Sequence, residues 1–201
     1  MLVTDMDYFS MHSGNKSPHM CIECQLRSKQ PFVSIFSGFM AGGDKSWTGS
    51  GSNYVCLSDQ PAWAHYDENI ESLGKLTGSE YRFYGHRSNG ASDFLGQYMY
   101  HSNAPCAVCL IQRRTSVMFP GRANCLEGWT KEYGGYLISG SAKEERTSEY
   151  VCLDNRPEKI VNGDNESNDH RLFFVEAVCS GSLACPPYIA GREIACVVCS
   201  L

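Results

Sequence analysis

The sequence predicts an all-β fold made of two pseudo-repeated, disulfide-rich half-domains packed together. Three observations predict it: the apolar residues come in short runs, turn-forming residues separate the runs, and a string of landmarks occurs twice in the same order. The runs include Phe32 to Phe36, Val117 to Phe119, Tyr136 to Ile138 and Leu172 to Val175. None is long enough to carry a 3.6-residue periodicity over several turns, so each suits a strand better than a helix. Between them lie 19 glycines and frequent Ser, Asn and Asp, residues that favour turns through left-handed backbone angles and local side-chain hydrogen bonds. The polar stretch 156–170, with Asn162-Gly163-Asp164 inside it, reads as an exposed loop, and so does 85–92.

The repeat is carried by Tyr54-Val55-Cys56-Leu57, which recurs as Tyr150-Val151-Cys152-Leu153. Upstream, Ser37-Gly38-Phe39-Met40 corresponds to Gly134-Gly135-Tyr136-Leu137; downstream, Cys106-Ala107-Val108-Cys109 corresponds to Cys196-Val197-Val198-Cys199. Three landmarks in one order point to duplication, and two copies of this length are too few and too long for a solenoid. The expected division is a poorly ordered segment 1–30, a first β half-domain 31–112 and a second 113–201. Segment 1–30 has no counterpart in the repeat and lies at a terminus. In the two cores we expect Trp129, Tyr54 and Tyr150; Trp47 and Trp63 read as packing residues, with sugar stacking by Trp47 as the alternative.

Cysteine is the unusual component: 11 in 201 residues, with 42% hydrophobic content sufficient for a core. Such density points to cross-linking in an oxidising compartment, where disulfides restrict the unfolded chain. Asn15 and Asn165 each head an Asn-x-Ser triplet and are candidate glycosylation sites. Met1 to Met20 contains no apolar stretch able to act as a signal-peptide core, so either sequence upstream of Met1 directs export, or export is unconventional, or the protein stays inside; cysteine usage favours the first two. No apolar run approaches the length of a transmembrane helix, and a membrane partner is not expected.

Three chemistries compete for the Cys-x-x-Cys pairs. Structural zinc wants two such pairs on tight turns around a tetrahedral site. Thioredoxin-like exchange wants one pair at the start of a helix, whose dipole lowers a thiol pKa. Here the enclosed residues are Ala107-Val108 and Val197-Val198, which favour strands. On a strand, residues three apart face opposite sides, so each sulfur should reach a distant partner of its own. Histidines 65, 86, 101 and 170 are too dispersed for a helical metal site and read as surface or turn residues. The serines flanked by glycine read as turns rather than nucleophile elbows. No catalytic residue, cofactor or metal is expected. The net charge of −5 is spread along the chain, which argues against a nucleic-acid partner.

The landmarks also resemble a known family. Ser37-Gly38-Phe39 with Ala41-Gly42-Gly43, Asn53 to Leu57, Ala104 to Cys109, Gly128-Trp129, Gly135-Tyr136-Leu137, Cys185-Pro186-Pro187-Tyr188 and Cys196 to Cys199 look like the C-terminal globular domain of short-chain (spongin-type) collagens. More distantly, the duplicated pattern is similar to the C-terminal non-collagenous domain of collagen IV. No Gly-X-Y repeat is present, so no triple helix is read from this chain. Because equivalent cysteines of a duplication should pair equivalently, the resemblance to the collagen IV domain implies Cys56 with Cys106, Cys152 with Cys196, Cys125 with Cys199, and a short loop Cys179 with Cys185. It further implies a partner for Cys109 from the amino-terminal segment; Cys24 is nearer the repeat, which leaves Cys21 free or intermolecular.

What the resemblance implies is an extracellular, non-catalytic structural and assembly domain of a collagen-like matrix protein, with protein partners or self-association, trimeric by analogy. The alternatives are a secreted lectin-like or immune recognition module binding a glycan on the same scaffold, and an intracellular zinc module.

Overall fold

The computed structural model describes residues 18–21, 33–66, 73–83, 88–111, 113, 115–163, 167 and 169–201. It is an all-β, disulfide-rich fold. The strands are β1 (Pro18–Cys21), β2 (Val33–Gly42), β3 (Val55–Ser58), β4 (Thr77–Tyr81), β5 (Pro105–Leu110), β6 (Ser116–Pro120), β7 (Thr130–Ser139), β8 (Val151–Asp154), β9 (His170–Phe174) and β10 (Ala195–Ser200), with one helical turn, α1 (Ser92–Leu95). They join in one mixed sheet of order β1-β5-β2-β4-β9-β7-β10-β6, with β3 added to β2 and β8 to β7. All pairings are antiparallel except β4 with β9, which connects the two repeats.

The repeat recurs as register. In the first copy Gly38 faces Cys106 on one side and Ser58 on the other; in the second, Gly135 faces Cys196 and Asp154. Both long strands are irregular at the same place, between Ser34 and Phe36 on β2 and opposite Val198/Cys199 on β7. Beyond the strand pairings, Tyr81 N donates to Ser102 O and His101 N to Tyr81 O; Ala177 N donates to Arg192 O and Gly191 N to Ala177 O in matching positions. The residue at the centre of each long strand has to be glycine. A Cβ on Gly38 would lie 1.7 Å from Leu57 O, and one on Gly135 would lie 2.0 Å from Leu153 O, so any side chain would force the neighbouring strand away.

The two copies are not independent globules. The larger core cluster combines Met40, Tyr54, Tyr81, Phe83, Leu95 and Met99 with Ile138, Val151, Leu153 and Leu172, drawing on both repeats. A smaller one holds Tyr133, Leu137, Cys152, Cys196 and Val198. Two stretches differ from the sequence reading. Pro18–Cys21, inside the segment read as poorly ordered, pairs with β5; it occupies beside β5 the place that β6 takes beside β10, satisfying backbone groups that an edge strand would leave open. Within 85–92, Ser92 opens a helical turn that buries Leu95.

The aromatic expectations divide. Tyr54 is fully buried, but Tyr150 is 62% exposed, because the contact that encloses Tyr54 is made once, between the repeats. Trp63 is 77% exposed beside Tyr66 rather than packed. Trp129 is half-buried against Phe119, ring centroids 5.5 Å apart and edge-on, outside both core clusters. Trp47 is half-buried in the turn closed by its N–H bond to Asp44 O.

Candidate interaction site

Four cystines lie wholly among the described residues. Cys56 is bonded to Cys106, Cys152 to Cys196, Cys125 to Cys199 and Cys179 to Cys185, with Cα separations of 5.7, 5.7, 5.9 and 5.8 Å. The first two occupy equivalent positions and tie β3 to β5 and β8 to β10, each linking the two strands that flank the central one. Cys106 and Cys109 are bonded separately, as strand alternation requires. Cys24, Asn15 and Asn165 lie outside the described residues, and of Cys21 only the backbone is described. Among the described residues no cysteine is free. No helix among them is long and apolar enough to cross a membrane.

The buried polar residues among the described ones include Glu80, Glu132 and His170. Glu80, fully buried, accepts from Arg82 Nη1 at 3.0 Å and from the Ser167 backbone N–H and hydroxyl at 2.8 and 3.0 Å, with His101 Nδ1 at 3.3 Å. The carboxylate thereby holds the Ser of the Asn165 triplet against β4. Burying a charge is tolerable only when it is paired and hydrogen-bonded in this way. Glu132, in the irregular part of β7, is held by Arg113 Nη1 at 2.7 Å and by the Ser200 hydroxyl.

His170 is the third. It is buried, not a surface or turn residue as the sequence reading has it, because β9 enters between the repeats. Its ring lies 4.8 Å from that of Tyr54, its Nδ1 is 3.3 Å from Ser79 Oγ, and a Cβ on Gly42 would fall 2.3 Å from that nitrogen. Burial, and secondarily the Arg146 cation, hold its pKa down at about 4 against a small opposing effect of Asp44. His86 lies outside the described residues, and His65 is exposed.

The unfolded chain takes up a proton on His170 near pH 6.5, the folded protein only near pH 4. The neutral ring's contribution is complete above pH 6.5 and is lost as pH falls through that window, by about 3 kcal/mol in all. Urea midpoints of the wild type should therefore fall from pH 7 to pH 4 more steeply than those of His170→Asn. Parallel slopes would assign the acid sensitivity elsewhere.

The feature that distinguishes the two repeats is the state of one sheet face. In the second copy Tyr136 and Leu153 are cross-strand partners. Leu153 is fully buried, and Tyr136 packs against Phe94 and Phe174, centroids 5.4 Å from each. Phe83 of the first repeat stacks on Phe174 at 4.2 Å. In the first copy the equivalent partners are Phe39 and Leu57, yet they are 46% and 44% exposed. Ile35 and Phe36, at the irregular part of β2, are also exposed. Sequence alignment of the repeats already pairs Phe39 with Tyr136 and Leu57 with Leu153; nothing in it tells which copy is covered.

Comparison with known proteins finds no matching family model, no matching curated protein and no matching solved structure.

Proposed function

We propose that this chain is an extracellular, non-catalytic structural domain whose activity is assembly, as in the collagen-like matrix proteins its landmarks resemble. The observation that carries the reading is the bare Phe39–Leu57 face, whose counterpart in the same molecule is closed by aromatic packing. Exposed contiguous apolar surface on a cross-linked scaffold favours a protein partner, and the internal junction supplies a pattern for how such a face is covered. The cystine frame supports an oxidising, extracellular location. Light scattering over about a hundredfold range of concentration tests it. The expected result is reversible self-association that weakens on Phe39→Asp substitution; the mass of a single chain throughout would overturn the reading.

A further inference from the structure

The four described cystines are not equally open to solvent. Cys106, Cys152, Cys196 and Cys199 are 2% exposed or less, so three of the bonds have at least one end inside the molecule. The bonded Cys109 is buried as well. In the fourth bond Cys185 is exposed and Cys179 half-buried, and every residue from Ser180 to Pro187 is exposed.

Thiol exchange makes a demand on both ends of a disulfide. The attacking thiolate must reach one sulfur in line with the S–S bond, and the other sulfur must leave as a thiolate, which apolar burial disfavours. In Cys56–Cys106 and Cys125–Cys199 a half-buried sulfur can be approached, but the one that leaves would be Cys106 or Cys199, in the interior. Cys152–Cys196 is buried at both ends. Among the described cystines only Cys179–Cys185 offers an exposed sulfur to attack and a leaving sulfur in contact with water.

This loop can also open without unfolding what surrounds it. Its base is closed by backbone bonds that do not involve the cystine, Ala177 N to Arg192 O at 3.0 Å and Gly191 N to Ala177 O at 2.9 Å, followed by Ile194 N to Val175 O at 2.8 Å. Inside the loop the bond from Tyr188 N to Ala184 O is longer, at 3.3 Å. Ser180 to Ala184 carry no charge to repel an approaching thiolate. A cavity of about 320 Å³ is lined by Pro187, Tyr188 and Ile189, which follow shortly after Cys185, so the bond also steadies one wall of it.

We propose that Cys179–Cys185 is the site at which the folded protein exchanges with dithiols. A thiolate of the dithiol attacks Cys185 Sγ; the S–S bond breaks, and Cys179 leaves as a thiolate that takes a proton from water. The second thiol of the reagent, deprotonated, then displaces Cys185 from the mixed disulfide, and Cys185 is protonated in turn. The dithiol has been oxidised to its cyclic disulfide and the cystine reduced to two thiols. Opening is local: it releases Ser180 to Pro187 and loosens the cavity wall, while the three interior bonds stay closed.

Dithiothreitol applied to the whole folded chain without denaturant, after any free thiol has been blocked, tests this. Aliquots alkylated at intervals and mapped as peptides should show label on Cys179 and Cys185 together, about tenfold or more ahead of any other pair. The far-ultraviolet circular dichroism should not change meanwhile, and hydrogen exchange should quicken within 180–189 alone. Urea below the unfolding transition should leave the rate as it is, because local opening exposes little new surface. Another cystine opening as fast, label that appears only as the dichroism is lost, or a rate that climbs with urea would overturn the proposal.

Discussion

Replacing both Cys152 and Cys196 with alanine should lower the unfolding free energy by about 4 kcal/mol, the cost expected when a bond closing a loop of this length is removed. Its ends are separated by 44 residues, and both cysteines are fully buried in the smaller core. The bond also links β8 to β10 on either side of β7, so its loss releases three strands together. By the same chain-entropy argument the Cys179–Cys185 pair, separated by 6 residues, should cost only about 2 kcal/mol. Urea unfolding of the two double variants measures the difference. Equal losses would mean that local packing, rather than restriction of the unfolded chain, governs the contribution of these bonds.

Phe83→Ala should be as severe, about 3–5 kcal/mol, since it empties a fully buried aromatic site. Phe83 lies 5.6 Å from Tyr81 in its own repeat and 4.2 Å from Phe174 in the other. Its removal takes away both the transfer free energy of the ring and the contact that holds the repeats together. A double-mutant cycle with Phe174→Ala should return a coupling of about 0.5–1.5 kcal/mol in favour of the stacked pair. Additive losses would show that the two rings contribute to separate packing sites.

Much of the architecture is legible in the chain. Short apolar runs, glycine-rich breaks and no sustained helical period lead to the all-β reading. The Cys-x-x-Cys pairs enclosing Ala-Val and Val-Val lead to sulfurs on opposite faces of a strand, and Cys106 and Cys109 are bonded apart. The reading is less complete where an environment depends on distant residues. His170 carries no local sign of burial; it is enclosed because Tyr54, Gly42 and Ser79 of the other repeat converge on it. Tyr54 and Tyr150 begin identical tetrapeptides, yet only the first is enclosed.

By itself the sequence determined the strand pattern, the duplication and which residues share a sheet face, because these follow from the two-residue alternation of a strand and from internal likeness. Only the tertiary structure decided which of two equivalent faces is closed. Phe39 with Leu57 and Tyr136 with Leu153 are apolar pairs in the same register. Their local physics is therefore the same, and the difference is made by rings brought from elsewhere: Phe94 packs on Tyr136, Phe83 stacks on Phe174 beside it, and the first pair is left bare. Burial is a property of what packs over a residue, and for these pairs that partner lies in the other repeat.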